Sequence, residues 1–227
     1  MDTAAAHYDL DDLRVFTAPW LCPEIEHSKV LQTMSGILRA ATADAHRAAE
    51  SSFALDNRLT DRSSYGALLT TLRGFYEPIE SALGAVTGWE RLTPPIDVAA
   101  RRRVQLLDAD RMCLGLEVPI AVGRSVPILP RLTTLARGLG CLYVMEGSAL
   151  GGRIIARRAR AALGVGLPVT FFTSAGRLDP LREWRAFQAA LDTWRLSADE
   201  FAEREVVVAA HETFGALKAW LDGVPRS

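Results

Sequence analysis

The chain has 227 residues, 49% of them hydrophobic and 23% charged, with a formal net charge of −1. That length suits one domain with a substantial core, and the even charge balance predicts neither nucleic-acid binding nor a polybasic membrane contact. No apolar run approaches the roughly 18 residues of a membrane span, and the acidic start MDTAAAHYDLDDLR does not read as a signal peptide. The cysteines Cys22, Cys113 and Cys141 form no CxxC pair, so a soluble cytoplasmic protein is expected.

Residues 1–33 read as an extension, irregular around Pro19 and Pro23. Its Cys22-Pro23 pair has the form of a short haem-sensing motif, a pair that also arises readily by chance, and His7 and His27 are expected on the surface. The first strong helix is expected over 35–53, SGILRAATADAHRAAESSF, with Ser35 as N-cap. Arg39, Thr42, His46, Ala49 or Glu50, and Phe53 recur at three- and four-residue steps and share a face. His46 is either a hydrogen-bonded structural histidine or a ligand. Its small neighbours Thr42, Ala45 and Ala49 leave room for a bulky group beside the imidazole.

A second helix is expected over 63–83, with an apolar stripe from Tyr65 to Ile79 that includes Tyr76 and a kink or interruption at Pro78. A loop through Pro94-Pro95 leads to a third helix over 98–117, where the run Arg101-Arg102-Arg103 is most simply a solvated face. After a proline-marked loop over 118–130, a long helix spans 131–164. Residues 164–173 read as a connector. An amphipathic helix follows over 181–193, with Trp184, Phe187 and Leu191 on its apolar side. The last helix, 197–221, opens on a Ser197–Glu200 capping box, with Phe201, Val208, Phe214, Leu217 and Trp220 as inward candidates and His211 as structural. No alternating strand pattern, repeat or linker appears, so the fold is expected to be all-α: one helical domain over 34–222 and a short tail at 223–227.

The long helix holds the stretch LYVMEGSALGGRIIARR, residues 142–158. Each of Gly147, Gly151 and Gly152 costs a helix interior about 1 kcal/mol relative to alanine, so something must compensate. Either the helix breaks or another helix packs very close there, or a flat ligand lies against the bare backbone. Gly147 and Gly151, four apart, stack on one face. The sequence carries no P-loop, GxGxxG, HExxH or GxSxG motif, and no pair of Glu-x-x-His helices for a di-iron centre. A lone helical histidine, a glycine-rich helix and scattered arginines suit a flat, anionic, iron-containing ligand, which is haem.

LRAATADAHRAAE (38–50) together with LYVMEGSALGG (142–152) resembles the bacterial, biliverdin-producing haem oxygenases, and the segments between and after them agree in order over about 34–222. The resemblance implies an all-α bundle with haem sandwiched between a proximal helix and a kinked, glycine-rich distal helix. It implies His46 as the axial ligand of the haem iron, and Gly147, Ser148 and Gly151 as catalytic positions on the distal side. It further implies Arg39, Thr42, Tyr143 and Arg158 as haem-binding residues, with Arg39, Tyr143 and Arg158 toward the propionates and Arg185 a candidate for a further basic contact. The implied reaction consumes haem, as substrate and cofactor, with O2 and external electrons. Its products are biliverdin (the alpha isomer by default), carbon monoxide and ferrous iron. The donor would be a ferredoxin or a flavin reductase, with no flavin or dinucleotide site in this chain, and a phytochrome could accept the biliverdin.

The sequence departs from animal-type members of that family, which carry an aspartate directly after the first distal glycine; here that position is Ser148. The proton relay is therefore unassigned, and Glu146 is read as a salt-bridge partner for an arginine rather than as its replacement. Two alternatives stand beside this reading. One is a non-catalytic haem carrier or sensor on the same fold. The other is a helical relative, such as a thiamine-degrading or cofactor-assembly enzyme, that would use Cys113 or Cys141.

Overall fold

The computed structural model describes residues 33–116, 127–175 and 179–223. The extension with Cys22-Pro23, His7 and His27, and residues 117–126, lie outside the described residues. Every regular element among the described residues is helical: α1 (Met34–Ala41), α2 (Ala43–Phe53), α3 (Leu55–Arg58), α4 (Arg62–Ala85), α5 (Val104–Cys113), α6 (Leu135–Leu163), α7 (Thr170–Thr173), α8 (Pro180–Arg195) and α9 (Glu200–Asp222). None of these helices is long and apolar enough to cross a membrane.

The bundle is built around α6, which packs on α9, α7, α8 and α4. Glycine allows the closest of these contacts. A Cβ added at Gly140 would strike the carbonyl oxygen of Val206 in α9, and one at Gly138 would press on Trp89 and Val86. The α4 stripe is core as expected, with Tyr65, Leu68, Leu69, Leu72, Phe75 and Ile79 all buried.

The expected helix over 35–53 is two helices, because Thr42 (φ −96°, ψ 4°) breaks it. The Thr42 hydroxyl donates to Leu38 O at 2.7 Å, the back-bonding by which threonine bends helices. Thr33, not Ser35, is the N-cap and accepts from Gly36 N. Ser35 is buried, and both its amide and its hydroxyl donate to Asp192 of α8. Pro78 lies inside α4 without ending it; the buried stripe on both sides outweighs one forgone helical bond.

The third helix starts at Val104 rather than 98, and the connector at 164–173 contains α7. Asp199 caps α9 by accepting from Ala202 N, while Ser197 closes the preceding helix with a bond to Trp194 O, so the expected capping box does not form. Phe201 and Val208 point outward, 71% and 41% exposed, whereas Phe214 and Leu217 are buried as expected.

Asp110 holds α7 in place. Fully buried in α5, its carboxylate accepts from Thr170 N and Phe171 N, each at 2.8 Å. Asp110→Ala would orphan two buried amides, each worth about 1–3 kcal/mol. Denaturant unfolding should show a loss of roughly 2–5 kcal/mol, without change in the unfolding slope.

Candidate active site

Two contacts set the register between the histidine helix and the glycine helix. Tyr143 of α6 lies beside Thr42 and Arg39, just ahead of α2. Fifteen residues further along α6, Arg158 pairs with Asp56, just past the end of α2. α6 thus touches the histidine-bearing segment at two points, with His46 four residues on from Thr42 and Gly147 four on from Tyr143, in the same chain direction. The two helices do not pack chiefly on each other; α2 packs on α9. Phe214 of α9 packs against His46, the two rings T-shaped with 5.6 Å between centroids.

The four glycines from 140 to 152 divide into two kinds. Gly140 and Gly152 are needed by the protein's own packing, since a Cβ at Gly152 would strike the carbonyl oxygen of Phe172 in α7. Gly147 and Gly151 are not. A Cβ at Gly151 would meet nothing within 4 Å, and one at Gly147 would just reach the Trp184 ring of α8 at 4.0 Å. Close packing thus accounts for Gly152, whereas Gly147 and Gly151 leave bare backbone beside open space.

His46, with its side chain 24% exposed, places Nδ1 at 3.5 Å from Glu50 Oε2. That hydrogen bond is the main reason the Glu50 carboxyl is held below its ordinary value. A carboxylate on Nδ1 selects the tautomer whose Nε2 carries the lone pair, the form an imidazole needs in order to bind iron. At the Thr42 end, the Tyr143 hydroxyl is buried with no well-formed hydrogen bond, and burial pushes it up to about 12. The neighbouring Thr42 hydroxyl and the Arg39 charge lower it in part. Arg39, Thr42 and Tyr143 thus gather a cation and two hydroxyls at one end of the slot. Arg158 does not join them: fifteen helical residues separate it from Tyr143, about 22 Å. Arg185 is exposed on α8, next to Trp184, whose ring lies 5.4 Å from that of Tyr143.

On the other side of α6 lie groups that the sequence reading did not place in the site. Of the Arg101–Arg103 run, only Arg102 lies on the expected solvated face. Arg101 bridges Glu146 and Glu183 at 2.8 Å each, and Arg103 is only 7% exposed. Both are drawn inward because residues 98–102 form turns and Glu80 of α4 caps α5 from outside, accepting from Arg103 N at 2.6 Å. Glu146 is thus salt-bridged as expected. Tyr76, read as a member of the core stripe, puts its hydroxyl 2.8 Å from Ser148 Oγ.

Burial pushes the carboxyls of Glu80 and Glu146 up, against the lowering effect of their bonded amides and arginines. The folded chain then holds these protons more tightly than the unfolded chain, so stability falls as pH rises from the ordinary glutamate range through the raised values. Glu146→Gln should flatten that fall in a series of melting temperatures against pH. The Cys141 thiol is buried and pushed up to about 12, which makes it an inert core group. Cys113 is exposed.

No protein-family model matches the chain. A haem oxygenase from Xanthomonas campestris pv. campestris (strain 8004) is 35% identical over 155 residues, covering 65% of this chain and 84% of that protein. Among solved structures, the haem oxygenase of Leptospira interrogans superposes with a TM-score of 0.68 at 21% identity, over 85% of this chain and 100% of that one. Haem oxygenase 2 of Chlamydomonas reinhardtii, solved without haem, gives 0.67 at 16% identity over 86% and 99%. The NO- and CO-bound haem oxygenase of Neisseria meningitidis gives 0.63 at 21% identity over 83% and 90%. The three structures share the fold, and the similarity to the Xanthomonas protein, over most of its length, shows that this chain belongs to the haem oxygenase family.

Proposed function

We propose that the chain binds haem in the slot between α2 and α6, with His46 on the iron, and converts it to biliverdin, carbon monoxide and ferrous iron using O2. Haem is the substrate and also supplies the iron at which oxygen is reduced. The observation that carries this reading is the pair Gly147 and Gly151. No packing within the protein explains them, and they border open space.

The chain's own residues have distinct tasks. Glu50 orients the His46 imidazole and presents Nε2 to the slot. The backbone at Gly147 and Gly151 comes close to the ligand plane and narrows the distal side. Arg39, Thr42 and Tyr143 receive the propionates, where a cation and hydroxyls match carboxylate acceptors. Trp184 covers that end. Arg158, paired with Asp56, ties the distal helix to the proximal segment at the opposite end. Electrons come from a separate donor protein, a ferredoxin or a flavin reductase, and the reaction takes place in the cytoplasm, with a phytochrome as one possible acceptor of the pigment.

The test is an absorption time course of haem-loaded protein supplied with ferredoxin, its reductase and NADPH. Decay of the Soret band with growth of a broad red band supports the enzyme, and chromatography of the pigment gives the isomer. A Soret band that persists in air under reduction would favour a haem carrier or sensor, and a colourless protein after reconstitution would sink both.

A further inference from the structure

Trp184 reaches the site from α8, and the two halves of that helix are held differently. Phe187, Ala190 and Leu191 are buried, and Asp192 accepts two bonds from Ser35, so the second half is fixed by the core. None of residues 180–186 is buried. Trp184 meets the core at Phe187, with 5.8 Å between ring centroids. Its ring lies along the α6 face that carries Tyr143 and Gly147, 5.4 Å from the Tyr143 ring and 4.0 Å from where a Gly147 Cβ would stand.

Arg101 ties this loosely packed half of α8 to α6. Its Nη1 lies 2.8 Å from the Glu146 carboxylate and its Nη2 2.8 Å from that of Glu183, with the arginine side chain only 8% exposed. Nη1 also lies 3.5 Å from the Glu183 carbonyl oxygen. The two carboxylates directly precede the two residues that meet in the site, Glu146 before Gly147 and Glu183 before Trp184. A planar guanidinium holds two carboxylates in fixed directions, which a single ammonium does less well. The backbone of Arg101 is set by a turn, in which Arg101 N donates to Val98 O at 3.1 Å and Ala100 N to Asp97 Oδ1 at 2.9 Å. The other tie between α6 and the start of α8, Arg153 with Asp179 at 3.7 Å, is half exposed on both sides and contributes little. Burial raises the Glu146 carboxyl and Arg101 counters that, with Glu183 adding to the rise. Without Arg101 the two carboxylates would push α8 away from α6. A cleft of about 370 Å³ beside them, lined by Ala149, Ser174 and Pro180, gives this half of α8 room to shift.

We propose that Arg101 is a positioning residue for haem retention: by joining Glu146 to Glu183 it holds Trp184 as a wall over the Tyr143 and Gly147 end of the slot. This rests on the functional reading above and deepens it. Successive residues of a helix project about 100° apart, so Glu146 and Arg101 stand beside the slot while Trp184 lies over it. Arg101 therefore acts on the ligand through Trp184 alone. When the tie is cut, the first half of α8 moves off α6, the wall opens at that edge, and haem leaves faster.

The test is the rate at which ferric haem leaves the full chain for an excess of apomyoglobin, followed by absorption. Trp184→Ala removes an aromatic wall from a flat ligand and should raise that rate about tenfold. Arg101→Met should raise it comparably, with Arg101→Lys in between. The double variant decides the matter. Trp184→Ala with Arg101→Met should lose haem no faster than Trp184→Ala alone, because Arg101 then has no wall left to hold. Glu183→Gln, which leaves Arg101 paired with Glu146, should give a smaller rise that likewise vanishes in the Trp184→Ala background; if Arg101→Met does not fold, this pair of variants decides. A tie that is merely structural would lower the melting temperature with the haem rate unchanged, or would multiply the effect of Trp184→Ala, and either result would overturn the proposal. An unchanged rate in Trp184→Ala would overturn it as well. A parent that binds no haem would overturn the functional reading, and the proposal with it.

Discussion

Gly151→Ala should raise the melting temperature and weaken haem binding, while Gly152→Ala, one residue further on, should lower the melting temperature. The two glycines are adjacent in sequence and have opposite surroundings in space. At Gly151 an added Cβ meets nothing within 4 Å, so the substitution gains the helix propensity of alanine, about 0.5–1 kcal/mol. In a domain of this size that is roughly 2 °C of melting temperature. The same methyl projects where the haem plane would lie, and crowding of that order should cost about 1–2 kcal/mol, roughly tenfold in affinity. At Gly152 the added Cβ is driven into the carbonyl of Phe172, a backbone atom that cannot step aside without moving α7. The overpacking cost exceeds the propensity gain, for a net loss of about 2 kcal/mol or more. Differential scanning calorimetry and a haem titration on the two variants separate the effects. Unchanged haem affinity in Gly151→Ala would remove the slot as the binding site.

That contrast marks where the sequence stops being informative. Helical periodicity and glycine spacing were enough to find the α6 stretch and to state both explanations of its glycines, but period alone cannot say which glycine meets a neighbour and which meets open space. His46 was legible as a candidate because the small residues around it share its helix. Glu50 was legible as a residue on the same face, whereas its bond to Nδ1 depends on rotamers. The residues farthest from reach were Arg103, Tyr76 and Glu80, which lie on different elements or on a turn. A run of three arginines looks solvated in one dimension. Arg101 and Arg103 are drawn in here while Arg102 stays exposed, and Glu80, some twenty residues earlier, caps the start of α5 beside them. Trp184 was read as core from its place on an apolar stripe, and only the approach of α8 to α6 sets it over Gly147.

His46→Ala should abolish biliverdin formation and leave the fold intact. His46 is partly exposed and packs edge-on against Phe214, so removing its ring leaves a void that opens to solvent; the expected change in stability is within about 1 kcal/mol. The effect on haem is of another order, because on the proposed reading the imidazole binds the iron, with Glu50 beside its Nδ1. Haem should still lodge in the slot on its apolar contacts and its propionates, with weaker affinity and an altered Soret band, and without ring opening. Imidazole added to the variant should enter the space left by the side chain and restore part of the parent spectrum. Glu50→Gln should act in the same direction but more mildly, since it removes the charge on Nδ1 and keeps an acceptor; outer partners of a ligating histidine typically account for about 10- to 100-fold in affinity or activity. The control is His211→Ala. His211 is the other histidine among the described residues, exposed on α9, and its loss should change neither spectrum nor turnover. A His46→Ala protein that opened haem at the parent rate, with the parent spectrum, would remove the axial role from α2 and leave the slot without a metal-binding side.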